Sequence, residues 1–570
     1  MRTPTKPARI FIPESANLDQ WETLEPLLID LRDRTLRDLS SLKKWVSELS
    51  EFEAVMEEHV AWKYIKMTID TSDEALTRDY QHFISEIQPK LAPFSDALNK
   101  KLVQNKFNDG LQDEGFKIYL NKLGLEIKIF RENNIELLSS LRQKSQEYGA
   151  ITGGLSLEFR GKTLTMPAAS AKLQETDRTL RREVFEAIHK KRLEIKENID
   201  NIFNDLIKGR NEVALNADYK NFRDYAFDML GRVDYQVQDC FNFHDSIASE
   251  ISPLVGKFQQ NRKKAMELEV LRPYDTSVDP SGNAPLRPFN DAENLIDKSI
   301  EVFKRIDPYF GDCLSTMNTM GHLDLASKPG KAPGGYNYPL HEIGVPFIFM
   351  NAVGTQRDMV TMMHEGGHAI HSFLTRDLPV TAFKSCPSEV AELASMAMEL
   401  LSMDHWGVFY SNEEELKRAK RDHLQDLLSV LPWIAIIDEF QHWIYENPTH
   451  STVDRYEQWN LILEKYNSGV IDWAGYEDAR DLNWQKQLHL FEVPFYYIEY
   501  GMAQLGAIAV YRNYRKDPKK AVEQYKSALE LGYTKSIPEI YKTAGIKFDF
   551  GQDYVRDLAN FIQEEITLIN

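Results

Sequence analysis

The spacing of apolar residues constrains this chain more than any other feature. From Leu18 to Val60 (LDQWETLEPLLIDLRDRTLRDLSSLKKWVSELSEFEAVMEEHV), apolar residues recur three and four positions apart between charges. That period puts them on one stripe of an α-helix. Thr179–Ala217 repeats the pattern with many acid–base pairs at i,i+4 and predicts one or two long helices. Strand signals are few. SLEFRGKTLTMPAAS alternates weakly and suggests a short hairpin, and GVPFIFMNAVG, an apolar run bounded by glycines, is the best strand candidate. Arg272–Asn294 and Ala326–Gly344 are rich in turn-forming residues and read as long structured loops. DPKKAVEQYKSALELGY resembles one tetratricopeptide helix, but a single copy cannot stack into a solenoid, so an ordinary helix is expected there. The fold class that follows is mostly α.

The 570 residues suffice for a large core and, by length alone, for roughly three or four domains. A net charge of −19 argues against nucleic acid and against an anionic membrane surface as partners. The three cysteines, Cys240, Cys313 and Cys386, are scattered and form no CxxC pair, which suits a reducing compartment and excludes a cysteine zinc cluster. The N-terminus lacks the apolar run of a secretory signal, and no segment approaches the roughly 18–20 continuous apolar residues of a membrane span. A cytoplasmic protein is expected.

The chemistry concentrates in MVTMMHEGGHAIHSF, Met359–Phe373. At about 100° per residue, His364 and His368 lie one turn apart on one helical face, from which both imidazoles can reach a single Zn²⁺. Glu365 points to the side, where it can take a proton from water rather than bind metal. His371 is nearly on the same face but about 4.5 Å further along the axis than His368, too far to close on the same ion. Leu374 stands where a metzincin would place its third histidine. The third ligand must therefore come from elsewhere, and His371 is left to orient or pack beneath the site.

CPSEVAELASMAMELL, Cys386–Leu401, offers that ligand. Pro387 suits a helix's first turn. Glu389, Glu392 and Glu399 recur in an apolar setting, and buried carboxylates are costly unless a cation or hydrogen bonds compensate them. Some of them, Glu389 above all, could instead face water. Two histidines and a glutamate with one open position make a catalytic rather than a structural zinc set. Gly366 and Gly367 each cost about 1 kcal/mol in a helix interior. Their lack of side chains lets a backbone approach, either that of a substrate or that of a packed helix.

With these residues in hand, the chain resembles the zinc peptidases of the thimet-oligopeptidase superfamily, above all the oligoendopeptidase F family. HEGGHAIHS and PSEVAE carry the resemblance in the family's order and separation. It is strongest from about Ala326 to Ala507 and recurs weakly in LELGYTKSIPEIYKTAGIKF. It implies a large multi-helix ellipsoidal fold with a deep substrate channel and a small β-sheet beside the zinc helix. It implies one Zn²⁺ per chain held by His364, His368 and Glu392, Glu365 as general base, and Glu399 behind the ligands. From HLFEVPFYYIEYGMAQLGA, His489–Ala507, it implies a histidine and tyrosines that hydrogen-bond the substrate and the oxyanion: His489 and Tyr500, with Tyr496 and Tyr497 competing for the other role. By spacing, Tyr496 and Tyr497 share a helical face with Tyr500, although core aromatics would look the same. GVPFIFMNAVGT resembles the family's edge strand beside the zinc helix, where an extended peptide could pair through backbone bonds. PGKAPGGYNY resembles a loop near the substrate and lacks the GK[ST] of a phosphate loop.

The expected function is a zinc endopeptidase that cleaves short peptides with metal-activated water. Its expected division is an N-terminal helical region over residues 1–190 and a catalytic region over 191–570. The alternatives are a dipeptidyl carboxypeptidase of the same superfamily, which needs a cation for the substrate's terminal carboxylate, and a non-catalytic helical peptide-binding protein.

Overall fold

The computed structural model describes residues 4–569, and its chain is built overwhelmingly of helices. Five short strands among the described residues form two small sheets. Among the described residues no helix is long and apolar enough to cross a membrane. Contacts group the chain into two compact units. The first takes the stretch up to Lys128 together with Arg287–Ala419 and Ala503–Phe548, and the second takes Ile129–Leu286, Lys420–Met502 and the stretch from Asp549. A single boundary at residue 190 does not describe these units, because residue 190 lies inside one unbroken 39-residue helix, Arg178–Asn216. Asp177 caps that helix by accepting from the backbone amides of Thr179 and Leu180.

In the first unit, Leu39–Ile69 is the long helix read from the first periodic stretch. Trp45, Leu49 and Phe52 on its inner stripe join Leu24, Leu28 and Phe383 in a buried cluster. Farther along, Ala61 and Ile65 pack on Phe347 and Phe349 of the three-stranded sheet. That sheet consists of β3 (Leu323–Ala326), β4 (Tyr336–Tyr338) and β5 (Phe347–Ala352), in the order β3–β5–β4. The strand expected in GVPFIFMNAVG is therefore β5, but it is the central strand and not an edge. β3 pairs with it in parallel on one side and β4 antiparallel on the other. The reason lies in the stretch read as a loop. The buried Lys331 donates to the carbonyls of Asp324 (3.1 Å), Ala326 (2.9 Å) and Met350 (2.6 Å), pinning that loop to the sheet. Tyr336 then stacks on Phe349, with ring centroids 4.9 Å apart.

In the second unit, the expected hairpin forms from β1 (Ser156–Phe159) and β2 (Lys162–Thr165). Its two-residue turn places Arg160 and Gly161 at φ 49° and 76°, the left-handed pair that matches the twist of a tight hairpin. The loop from Arg272 is anchored by Asp275, wholly buried and bridged to Arg178 (2.8 Å) and Arg181 (2.9 Å).

Candidate active site

The HEGGH stretch sits in the first unit on the helix Gln356–Thr375, separated from β5 by three residues. Thr355 caps it in a reciprocal box with Asp358, and Asp358 also accepts from the amide of Val353 at 2.9 Å. The strand-to-helix turn is thus fixed on both sides, and the helix start is fixed with it. The glutamates lie on the next long helix, Ser388–Ser402. Pro387 is the cap residue just outside that helix rather than within its first turn.

The two helices touch through Gly367. A Cβ built there would lie 2.6 Å from the Ala394 carbonyl oxygen and 2.7 Å from Ser395 Cα. At Gly366 a Cβ would run into the Phe303 ring. Gly367 therefore admits the backbone of the glutamate helix and Gly366 the Phe303 side chain, so their role is helix packing and not room for a substrate.

This close approach brings Glu392 Oε2 to 3.2 Å from His364 Nε2 and 3.6 Å from His368 Nε2. One donor atom from each of the three residues lies within 4.8 Å of the others. Ser395 Oγ donates to the same carboxylate oxygen at 2.9 Å. Two imidazoles and a carboxylate converging through Nε2, Nε2 and Oε2 form a donor set that Zn²⁺ takes, so the residues fit the implied metal. Glu399 Oε1 accepts from His364 Nδ1 at 2.7 Å, which turns Nε2 toward the common point.

Burial opposes charge throughout this cluster. It lowers His368 to about 4 and His371 to about 3, leaving both neutral. At His364 burial is outweighed by Glu392 and Glu399, which hold its pKa well above the usual histidine value. Burial likewise resists ionisation of Glu392, but His368 and His364 prevail and draw it down to about 2. At Glu365 burial outweighs the pull of His364 and pushes the carboxyl up to about 7. That value lies near the optimum for a group that accepts and returns a proton at neutral pH. Asn337 of β4 donates to the Glu365 carbonyl at 3.3 Å, placing β4 against the motif helix at the turn that carries Glu365. His371 stays outside the donor set and lies 3.4 Å from Cys386 Sγ. Glu389 is buried rather than facing water.

His489 and the tyrosines gather in the second unit. The His489 ring centroid lies 4.6 Å from that of Tyr497, 5.8 Å from Tyr500 and 6.2 Å from Tyr496. The helix begins only at Ile498, so Tyr496 and Tyr497 precede it and a shared helical face does not explain the cluster. A turn at Phe495 does. Phe495 adopts φ 68°, a left-handed conformation rare for a bulky residue. Three bonds hold it: its amide donates to Gln441 Oε1 at 2.6 Å, its carbonyl accepts from Arg232, and Arg232 pairs with Glu499 at 2.8 Å.

A second chain of bonds sets the proton on His489. Trp433 Nε1 can only donate, and it donates to Gln487 Oε1 at 2.8 Å. The Gln487 amide nitrogen therefore faces His489 Nδ1, 2.7 Å away, and must donate to it. The neutral ring then carries its proton on Nε2 and acts as a donor there. Sequence reading missed Arg232, Gln441, Trp433 and Gln487, since no local pattern marks them.

Known proteins resemble the chain over most of its length. The model of peptidase family M3 matches residues 171–560, and that of the peptidase M3 N-terminal domain matches residues 18–130. An oligoendopeptidase F homolog of Borreliella burgdorferi is 24% identical over 455 residues, covering 77% of this chain and 74% of its own. Oligopeptidase PepF of Bacillus subtilis is 22% identical over 66% of this chain and 55% of its own. Among solved structures, PZ peptidase A with an inhibitor superposes with a TM-score of 0.90 at 26% identity, over 98% of this chain and 99% of that one. An oligoendopeptidase F structure gives 0.89 at 25% identity with the same coverage.

Proposed function

The chain belongs to peptidase family M3 and is a peptidase of oligopeptides, and from that premise we propose that it is a zinc-dependent endopeptidase acting on short peptides. The observation that carries this reading is the convergence of His364, His368 and Glu392, with Glu399 orienting His364. Bound by those three residues, Zn²⁺ supplies Lewis acidity for the scissile carbonyl and the attacking water. Glu365 accepts the water's proton and passes it to the leaving amine, a role supported by its pKa of about 7. His489, through its Nε2 proton, and Tyr500 donate hydrogen bonds to the oxyanion, with Tyr496 and Tyr497 as the further phenols of that cluster. The backbone partner for an extended peptide passes from β5 to the outer edge of β4, because β5 is flanked on both sides.

The test pairs metal analysis with cleavage of an internally quenched peptide. Wild type holds zinc at the motif site and cleaves within the peptide in a chelator-sensitive way. Glu365→Gln keeps that zinc and loses activity by about 10²–10⁴-fold. Near-normal turnover of Glu365→Gln overturns the assignment of the base. Cleavage confined to C-terminal dipeptides, and abolished by C-terminal amidation, converts the reading to a dipeptidyl carboxypeptidase. Metal-free protein without activity leaves only a peptide-binding role.

A further inference from the structure

A second set of metal-ligating side chains lies in the core of the second unit. Cys240 and His244 are one turn apart on the helix Val237–Ser246, and Asp438 and His442 are one turn apart on the helix Glu413–Glu446. Each i,i+4 pair projects from one face of its helix. Donor atoms of Cys240, Asp438 and His442 all lie within 4.8 Å of one another. His244 Nε2 lies 2.8 Å from Asp438 Oδ2. The four residues are 0%, 1%, 0% and 2% exposed in chain order.

Hydrogen bonding within the protein leaves this cluster incomplete. The His244–Asp438 contact accounts for one carboxylate oxygen and one imidazole. Asp438 Oδ1 and both ring nitrogens of His442 are buried without a hydrogen-bond partner, although His442 Nε2 is only 3.2 Å from Asp438 Oδ2. The surroundings of the His442 ring are largely aromatic. Phe241, Phe495 and Phe227 wall the His442 ring, with centroids 5.0, 5.3 and 6.2 Å away. Buried imidazole and carboxylate atoms without partners carry a desolvation penalty that native cores rarely accept.

We propose that Cys240, Asp438 and His442 form a second, structural Zn²⁺ site, with His244 beside them holding Asp438 and nearest to the fourth position. The sulfur, nitrogen and carboxylate donors suit zinc. In a tetrahedral site with Zn–S of about 2.3 Å and Zn–N of about 2.0–2.1 Å, donors stand roughly 3.3–3.6 Å apart. The observed spread reaches that by small side-chain rotations. On binding, Cys240 releases its thiol proton to solvent and coordinates as thiolate, with Asp438 as carboxylate and His442 as neutral imidazole. Full burial makes the site a clamp between two helices rather than a centre for chemistry. The clamp lies under Phe495, the residue whose turn carries Tyr496 and Tyr497. The proposal is independent of the peptidase reading, because it shares no residue with the HEGGH cluster.

The full-length protein, purified and dialysed against metal-free buffer, provides the test, with Zn²⁺ and Co²⁺ as the probes. Metal analysis should return two equivalents of zinc per chain, and His364→Ala/His368→Ala should retain one. The cobalt-substituted protein should show near-ultraviolet thiolate-to-cobalt charge transfer. Neither His364, His368 nor Glu392 can give that band, so it reports the new site alone. It should persist in His364→Ala/His368→Ala and disappear in Cys240→Ser. The wild-type spectrum decides the matter even if Cys240→Ser does not fold. A single equivalent that leaves with the HEGGH histidines, a second equivalent without the thiolate band, or a band that survives Cys240→Ser overturns the proposal.

Discussion

Gly367→Ala isolates the packing that builds the candidate active site. The new Cβ would stand 2.6 Å from the Ala394 carbonyl oxygen, 2.7 Å from Ser395 Cα and 2.9 Å from Met398 Cβ. Ordinary contact begins at 3.4 Å, so the two helices must separate by about 0.8 Å. Two of the three obstacles are backbone atoms and cannot swing aside. Overpacking of this kind costs about 1–3 kcal/mol, and alanine returns about 1 kcal/mol through its helix propensity. Net destabilisation is therefore modest, about 0–2 kcal/mol. The effect on metal is larger, because Glu392 rides on the displaced helix while His364 and His368 do not. Ligand distances tolerate about 0.2 Å, a quarter of the required shift. The expected outcome is a folded protein whose zinc affinity falls at least about 10-fold by competition with a chromogenic chelator, with activity partly restored by excess zinc. Gly366→Ala is the comparison: its obstacle is the Phe303 side chain, so it should perturb zinc less. Unchanged zinc affinity in a stably folded Gly367→Ala would refute the view that this contact sets the ligand geometry.

Other expectations follow from single contacts. Glu399→Gln weakens the bond that orients His364, so zinc affinity should drop by about 10–100-fold while kcat at saturating zinc changes little; equal affinity in a chelator competition would leave Glu399 without that role. Gln487→Glu places an acceptor opposite His489 Nδ1, moving the ring proton off Nε2, so kcat should fall toward the 10²–10³-fold that loss of an oxyanion donor costs, with KM nearly constant. A rise in KM alone would point to substrate binding instead. Burial, with Glu57 and Glu126 adding repulsion, raises Glu53 from 4.5 to about 8. Its folded form thus keeps a proton that the unfolded chain has lost, and this contribution to stability falls as pH rises from about 4.5 through about 8. Because Glu53 retains some solvent contact, Glu53→Gln should stabilise the protein by only about 1–2 kcal/mol above that window and by little below it, as read by denaturant unfolding. Equal gains at both ends would exclude the linkage.

The long helices, the hairpin and β5 were legible because hydrophobic period and turn residues act over a few positions. His364 and His368 were legible for the same reason, since i,i+4 spacing fixes two imidazoles on one face whatever surrounds them. Glu392 was nearly so: carboxylates on an apolar helix demand a partner, and the family's motif supplied the pairing. The tertiary structure decided everything that depends on which distant segment arrives. β4 turned a supposed edge strand into a central one. The Ala394–Ser395 backbone claimed the space at Gly367. A bond from Trp433 set the proton on His489 from 56 residues away in sequence. Cys240 and Asp438 carry no shared signal in the chain, because the two residues stand nearly two hundred positions apart and meet only when the core forms. Local periodicity specifies faces, whereas the partner of each face is chosen by the packing of the whole molecule.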